Sequence, residues 1–396
     1  MYPAGVAAFG VWEASLFWKN GSGMSLDNSL NHAVKEQCPV LPTEPKSILI
    51  VRLSAIGDVV HTLPCLHALR EAFPKARIGW VVEELSASLL RGHPEIDQLY
   101  VIPKKRWRGQ PVRTWLNGEQ PRFYRELRQV GWDVAIDFQG LTKSGLALGF
   151  SGAPVRIGYA GVDGREFNKL FTNRRVTPSA EARHVIQRNL SLLEPLGVRV
   201  APERIASRFP DFSEERAGLA DFFETVGDAG FLALYPGAGW ETKRWPTDLF
   251  AALAQRLEAT GLPQVLVWGP GEEAMCQEIL AGAQLPEDRL LMAPRTNLRQ
   301  LAALLERARC VVGGDTGPIH LAAALDRPVV GLYGGSDPVR NGPLGARCVS
   351  LLAKDEPCVM CWKTKCNQPE FVKCLRALTP DRVAEAVRAQ LAANPR

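Results

Sequence analysis

Residues 47–73 read SILIVRLSAIGDVVHTLPCLHALREAF, and their hydrophobic pattern changes from that of a strand to that of a helix. The nearly continuous apolar run from Ser47 to Leu53 predicts a buried strand. The segment Ser-Ala-Ile-Gly-Asp at 54–58 is turn-like, and apolar residues then recur at helical spacing in LPCLHALREAF. A strand, a tight loop and a helix in this order predict the first unit of an α/β fold with parallel strands.

The same alternation continues through the chain and restarts in its second half. In the first half, IGWVVEE, QLYVIP and WDVAIDFQ are predicted strands, and helical patterns lie between them. In the second half, FLALYP, QVLVWG, LLMAP, CVVGGD and PVVGLYG are predicted strands with helical patterns between them. We therefore predict two successive α/β domains, with ligand bound at the carboxyl ends of their strands in the cleft between them.

The domain boundaries follow from where this alternation starts, fades and restarts. Residues 1–45 lack sustained periodicity and are predicted to be a poorly ordered extension, with Met24 as an alternative start. The other predicted regions are a first α/β domain at 46–200, a linker at 201–228, a second α/β domain at 229–378 and a C-terminal helix at 379–396. The last helix is expected to pack back across the domains.

Composition excludes several classes of protein. The 396 residues are 46% hydrophobic and 22% charged, which is ordinary globular composition and excludes disordered or collagen-like chains. A net charge of +5 is far weaker than the basic stripe of a dedicated nucleic-acid binder. No apolar run approaches the roughly 18 residues of a membrane span, and the N-terminus lacks the basic region of a secretion signal. Five scattered cysteines are expected to be reduced thiols: Cys38, Cys65, Cys276, Cys310 and Cys348.

The first chemical motif is the loop that precedes the first helix. Gly57 allows a tight turn or close approach to a ligand, and Asp58 places a carboxylate where it faces the predicted cleft. The alternative interpretation of Asp58 is a helix cap, because a negative charge is favoured at a helix N-terminus.

Two further motifs follow strands in the second half. YPGAGWETKRWP, from Tyr235 to Pro246, is a glycine-rich turn with Lys243, which together suit a diphosphate. GGDTGPIH, from Gly313 to His320, opens a helix whose free amides form an anion site. A capped helix with a packed histidine is the alternative for the second motif. Neither a P-loop nor the dinucleotide-binding glycine motif is present.

Two clusters leave more than one interpretation open. KKRWR at 104–108, with Arg113 nearby, forms either a grip for acceptor phosphates or a solvated loop. The spacing Cys358-x2-Cys361-x4-Cys366-x7-Cys374 suits a structural zinc ion, free thiols or redox disulfides.

Taken together, SAIGDVVHTLP, YPGAGWETKRWP and GGDTGPIHLAAALDRP resemble the signatures of the ADP-heptose:lipopolysaccharide heptosyltransferases, glycosyltransferase family 9. The resemblance covers about residues 47 to 392, and the first half is most similar to the heptosyltransferase I branch. The PGA…KRWP version of the second motif and the cysteine segment are more similar to heptosyltransferase II. The resemblance implies a GT-B fold, in which two doubly wound Rossmann-like domains face each other across a cleft.

The resemblance also implies roles for individual residues. Asp58 matches the catalytic base of an inverting transfer, and catalysis is expected to need no metal or cofactor. The expected donor-binding residues are Lys243, Thr242, Glu273, Thr296, Asp315, Thr316, Gly317 and His320. The expected acceptor-binding residues are Gly57, Lys104, Lys105, Arg106 and Arg108.

The expected activity is inverting transfer of heptose from ADP-L-glycero-D-manno-heptose to Kdo-lipid A during lipopolysaccharide inner-core biosynthesis. The enzyme is expected to be cytoplasmic, peripheral at the cytoplasmic face of the inner membrane, and to have no nucleic-acid partner. Three alternatives stay open: heptosyltransferase II or III, or a family 9 transferase with another acceptor or sugar; a GT-B sugar-nucleotide epimerase; and a noncatalytic zinc-dependent interaction protein.

Overall fold

The computed structural model describes residues 40–395, and within this range twelve strands form two six-stranded sheets. The predicted extension therefore lies outside the described residues except for its end, as does the alternative start. The strands are β1 (Ser47–Val51), β2 (Arg77–Glu83), β3 (Gln98–Ile102), β4 (Val134–Asp137), β5 (Val155–Tyr159), β6 (Arg174–Val176), β7 (Phe231–Tyr235), β8 (Gln264–Leu266), β9 (Leu290–Met292), β10 (Ala308–Gly314), β11 (Val329–Tyr333) and β12 (Cys348–Leu352).

Both sheets have the same doubly wound topology. The first has the order β3-β2-β1-β4-β5-β6 and the second β12-β11-β10-β7-β8-β9, and all neighbouring strands are parallel. β1 is buried along its whole length because helices cover both faces of its sheet. The prediction of two doubly wound α/β halves is confirmed.

Helices follow most strands and lie on both faces of each sheet. In the first half they are α1 (Ile56–Val60), α2 (Leu63–Ala72), α3 (Glu84–Leu90), α4 (Lys104–Gly109), α5 (Pro111–Leu116), α6 (Glu119–Gln129), α7 (Thr142–Phe150) and α8 (Val185–Ser191). In the second half they are α9 (Ser213–Ala217), α10 (Ala220–Val226), α11 (Thr247–Leu257), α12 (Glu273–Ala283), α13 (Leu298–Glu306), α14 (Gly317–Ala324), α15 (Pro338–Asn341), α16 (Lys373–Arg376) and α17 (Pro380–Ala393). Short 3-10 turns lie at Asn168–Leu170, Glu194–Leu196, Pro202–Arg204, Glu241–Lys243 and Glu258–Thr260. None of the helices described is long and apolar enough to cross a bilayer.

Two predictions need correction: the linker between the halves and the packing of the C-terminal helix. The predicted linker at 201–228 contains α9 and α10, and Phe212 and Phe223 pack in the same core as Phe231 of β7. Each helix has only one or two turns, which is too short for a periodic pattern to be visible in the sequence. The C-terminal helix α17 does not bridge the halves as predicted, because its apolar face joins the core of the second half alone.

The halves meet through side chains of both. Val60 and Leu89 of the first half belong to the same buried apolar cluster as Leu301 and Ile319 of the second half. This apolar seam fixes the carboxyl edge of the first sheet against the second half, and the loops that carry the predicted motifs lie beside it.

Replacing Gly79 by Ala is expected to destabilise the first half. Gly79 lies in β2, and a Cβ there would overlap the buried Trp132 ring. We expect the free energy of unfolding to fall by about 1–3 kcal/mol, the usual cost of overpacking a core. Urea unfolding measures the change, with Gly109→Ala as the control because a Cβ at Gly109 meets nothing. Equal stability of the two variants would contradict the prediction.

Candidate active site

The candidate site lies where α1 and α14 approach each other across the two halves. A Cβ on Gly57 would lie 3.0 Å from Cδ2 of His320, and one on Gly317 would lie 3.1 Å from Cγ2 of Ile56. Both glycines therefore allow a close approach of the two helix N-termini. This contact brings the Asp58 loop, which follows β1, next to the Asp315 loop, which follows β10.

Asp58 is held by two hydrogen bonds and is still open to solvent. Arg52 Nη2 donates to one carboxylate oxygen at 2.6 Å, and the backbone N–H of Ala55 donates to the other at 3.1 Å. The Asp58 side chain is 42% exposed, whereas Arg52 is buried and also donates to the carbonyl of Phe138. Asp58 thus stabilises the start of α1, as the capping interpretation requires, and also presents a fixed, accessible carboxylate, as a general base requires.

A chain of charged groups lies beside it in the second half. Lys243 Nζ is 2.6 Å from one oxygen of Asp315, and His320 Nε2 is 2.9 Å from the other. Burial opposes ionisation of Asp315, but the hydrogen bond from His320 and the charge of Lys243 outweigh it and hold the pKa of this carboxyl below its usual range. Asp315 is therefore ionised at neutral pH and holds the Lys243 ammonium in place.

Unpartnered polar atoms lie at the N-terminus of α14 and in the turn after β11, the strand beside β10. The hydroxyls of Thr316 and Ser336 and Nδ1 of His320 are buried and have no hydrogen-bond partner among the described residues. These atoms and the free amides of the helix can bind anionic oxygens. Sequence reasoning found Thr316 and His320 but missed Ser336, whose only signal is its position in the turn after the PVVGLYG strand.

The remaining predicted donor residues lie on three elements. The Thr242 hydroxyl donates to the carbonyl of Lys363, and Thr242 is buried. Glu273 is the exposed first residue of α12, and Thr296 lies partly buried in the loop after β9. The carboxylate that contacts the glycine-rich turn is that of Glu272. The sequence analysis did not predict a role for Glu272.

Glu272 is oriented by two donors. The Tyr235 hydroxyl and the backbone N–H of Gly269 each lie 2.8 Å from its Oε2. A Cβ on Gly237 would overlap this carboxylate, so the second motif needs glycine at this position for Glu272 to reach it. The ribose and adenine roles of Glu273 and Thr296 stay predictions.

The basic cluster is a helix and not the loop that the sequence predicted. Lys104 begins α4, and its Nζ lies 2.8 Å from Glu83, the last residue of β2. Lys143 of α7 also lies 2.8 Å from Glu83 and donates to the Ser54 hydroxyl at 3.1 Å. Burial raises the pKa of Glu83, but the hydrogen bonds from Lys104 and Lys143 outweigh it and leave this pKa lowered. Sequence reasoning missed Lys143, which joins the basic helix to the Asp58 loop.

Three histidines lie close together where the halves meet. The His61 ring lies 4.3 Å from the His320 ring and 5.9 Å from the His184 ring. His184 Nε2 lies 2.9 Å from the carbonyl of Gly342 in the other half. Burial, with smaller contributions from His320 and His184, lowers the pKa of His61 well below its ordinary value. His61 is therefore neutral in the folded protein.

Stability is expected to fall as pH falls through the range in which free histidine titrates. Below about pH 6.5 the unfolded chain binds a proton at position 61 that the folded chain does not, so acid favours unfolding. Between pH 7.5 and pH 5, wild type should lose about 2 kcal/mol more than His61→Gln. Urea unfolding at both pH values measures this difference. Parallel losses in the two proteins would show that His61 does not contribute.

The cysteine segment packs against the glycine-rich turn. The backbone N–H of Glu241 donates to the carbonyl of Thr364 at 3.0 Å, so the segment supports the turn that carries Lys243. Cys374 is buried beside Cys358, and burial followed by this neighbour raises the pKa of the Cys374 thiol. Residues 40–395 contain no group of three or more His, Cys, Asp or Glu side chains arranged to hold a metal ion, so the zinc prediction gains no support.

Comparison with known proteins identifies the family of this chain. The family model for "Glycosyltransferase family 9 (heptosyltransferase)" matches residues 121–371. Lipopolysaccharide heptosyltransferase 1 of Pseudomonas aeruginosa is 33% identical over 360 residues, which span 87% of this chain and 98% of that protein.

Two solved structures share the fold over most of the chain. The Escherichia coli heptosyltransferase WaaC with ADP has a TM-score of 0.68 at 26% identity, covering 87% of this chain and 99% of its own. WaaC has also been solved with ADP-2-deoxy-2-fluoro heptose. The E. coli ADP-heptose lps heptosyltransferase II has a TM-score of 0.70 at 25% identity, covering 88% of this chain and 99% of its own.

The two facing α/β halves and the charged site between them define a glycosyltransferase of the GT-B type. The comparisons identify the family within this class. The chain belongs to glycosyltransferase family 9, the heptosyltransferases.

Proposed function

We propose that this enzyme transfers heptose from ADP-L-glycero-D-manno-heptose to Kdo-lipid A, with inversion at the anomeric carbon. The observation that carries the proposal is the pairing of an accessible carboxylate, Asp58, with the Lys243–Asp315–His320 chain at an anion-binding helix N-terminus. A base for the acceptor and a site for the leaving diphosphate are the two groups that this transfer requires.

The second half binds the donor in this proposal. Lys243 and the amides at the start of α14 contact the diphosphate, and the unpartnered Thr316, Ser336 and His320 side chains offer further hydrogen bonds. The ADP bound by WaaC supports this assignment because the two chains share their fold over most of their length. Glu273 is proposed to contact the ribose and Thr296 the adenine.

The chemical step needs one base. The acceptor hydroxyl oxygen forms a bond to the anomeric carbon while the bond from that carbon to the diphosphate oxygen breaks. The hydroxyl proton passes to the Asp58 carboxylate, and the electron pair of the broken bond leaves with ADP. The cation of Lys243 and the helix amides stabilise the charge that develops on ADP, so no second acid is required.

The first half binds the acceptor in this proposal. Lys104, Lys105, Arg106 and Arg108 contact its carboxylates or phosphates, and Gly57 lets it approach Asp58. Kdo-lipid A is favoured over other acceptors because a heptosyltransferase 1 matches the chain at 33% identity over nearly its full length. The acceptor is lipid-linked, so the enzyme is proposed to act at the cytoplasmic face of the inner membrane.

A transfer assay tests the proposal. The purified enzyme is supplied with ADP-heptose and either Kdo-lipid A or heptosyl-Kdo-lipid A, with EDTA present, and the product mass is measured. Gain of one heptose on the first acceptor is expected. Transfer to the second acceptor alone would move the assignment to heptosyltransferase II, and conversion of the sugar nucleotide without acceptor would indicate an epimerase.

A further inference from the structure

Exposed apolar side chains gather at the carboxyl edge of the first sheet. Six large apolar residues are exposed in the segments that follow β2, β3 and β5, and they are Leu85, Val112, Leu116, Val162, Phe167 and Leu170. Leu116 and Leu170 are each 76% exposed, and Val162 is 89% exposed. We refer to α3, the α4–α5 pair and the loop 160–171 that carry these residues as the docking face.

The contacts of Glu83 and Thr142 place these segments side by side. Glu83 binds Lys104 at the start of α4 and also binds Lys143 in the first turn of α7. Thr142, beside Lys143, receives the loop 160–171, because its backbone N–H donates to Glu166 at 2.9 Å and its hydroxyl accepts from the N–H of Phe167 at 3.2 Å. The α4–α5 pair and the loop therefore flank the Ser54–Asp58 loop on two sides.

The same face carries a concentrated positive charge. Residues 104–116 include five basic side chains and no acidic one, namely Lys104, Lys105, Arg106, Arg108 and Arg113. Lys104 and Arg106 are paired with glutamates, whereas Lys105, Arg108 and Arg113 are exposed and make no ion pair within the described residues. Arg165 and Lys169 add exposed positive charge in the loop.

We propose that the docking face binds the surface of an anionic lipid bilayer. Isolated apolar side chains that project between basic ones suit a fluid interface, where the apolar groups enter the acyl boundary and the cations contact headgroup phosphates. The docking face carries seven basic and three acidic side chains, the acidic ones being Glu84, Asp163 and Glu166, so its charge is positive overall. Because the face flanks the Asp58 loop, docking brings the base to the height at which a lipid-linked acceptor presents its sugar. This inference rests on the proposed function for its acceptor.

Vesicle binding tests the face directly. The double variant Leu116→Ser/Phe167→Ser is compared with Leu344→Ser, an exposed leucine that precedes β12 and lies outside the docking face. We expect the double variant to bind vesicles of phosphatidylglycerol and phosphatidylcholine about tenfold or more weakly than wild type, because two apolar side chains no longer enter the lipid. The control should bind as wild type does, and all three should bind less at high salt.

Equal binding by the double variant and wild type would overturn the inference, as would equal wild-type binding to pure phosphatidylcholine vesicles. Circular dichroism and thermal unfolding check that both variants are folded, and the exposure of the substituted side chains makes a folding defect unexpected.

Kinetics separate this inference from the proposed function. With a water-soluble Kdo acceptor that lacks acyl chains, the double variant should keep the wild-type kcat/KM. With the acceptor embedded in anionic vesicles, its kcat/KM should fall about tenfold. An equal fall with both acceptors would assign these residues to acceptor binding and overturn the docking face. Absence of wild-type transfer to every acceptor would overturn the proposed function, while the vesicle measurement still decides the docking face.

Discussion

Replacing Asp58 by Asn is expected to lower kcat about 1,000-fold and to leave ADP affinity nearly unchanged. Asn has the size of Asp and can still accept the Ala55 N–H, so α1 should keep its start. It cannot take the proton of the acceptor hydroxyl, and Arg52, which now bonds the carboxylate at 2.6 Å, loses a charged partner. Steady-state release of ADP measures kcat, and calorimetric titration with ADP measures the affinity.

The chain offers a closely matched control for this substitution. Asp97 is 46% exposed, lies 2.6 Å from Nη2 of Arg70, and accepts the backbone N–H of Ile78 at 2.7 Å. It precedes β3, at the sheet edge opposite the site. Asp97→Asn should therefore retain full kcat. A variant of Asp58 that is as active as this control would remove Asp58 from the mechanism.

Replacing Lys243 by Met is expected to raise the dissociation constant of ADP about 10- to 100-fold. A charge-assisted contact to a phosphate contributes about 1.5–3 kcal/mol, which corresponds to this loss of affinity. Asp315 also loses its ammonium partner and keeps only His320, so the free energy of unfolding should fall by about 2 kcal/mol. ADP titration and urea unfolding measure the two effects.

Lys373→Met is the control for this experiment. Lys373 begins α16, pairs with Glu356 at 3.4 Å and is half-exposed. Its loss removes one cation from the same half without touching the Asp315 chain, so ADP affinity should not change. Equal ADP affinity in both variants would show that Lys243 does not contact the diphosphate.

Much of the fold was predictable because most strands and helices carry complete local signals. β1 is a continuous apolar run, and α2 repeats apolar residues at helical spacing. Each element can therefore be predicted from its own residues alone. Three strands were not predicted: β5, β6 and β12. β6 and β12 are edge strands, and β6 consists of only Arg-Arg-Val. β5 lies inside its sheet, but Arg156 and Gly158 interrupt its short apolar run. The predicted packing of α17 across both halves was wrong, because an amphipathic pattern shows that one face of a helix is buried but does not show which residues cover that face.

The candidate site was predictable where a motif carries its own chemistry. Asp58, Lys243 and His320 were found because each lies in a short glycine-containing loop between a strand and a helix. Lys143 and Ser336 were missed because their importance comes from partners distant in sequence, as the bonds of Lys143 to Ser54 and Glu83 show. Such contacts depend on the tertiary structure and leave no local pattern.

The close contact of α1 with α14 limits how this enzyme can be recombined with its relatives. A chimera that joined the first half of this chain to the second half of a relative keeps this contact only if the relative has a residue without a side chain opposite Ile56 and leaves room opposite Gly57. Val60 and Leu89 would likewise need matching partners across the apolar seam. A junction between the halves separates the two sides of this contact, so an exchange of acceptor specificity in this way also requires matching residues on the helix that is not exchanged.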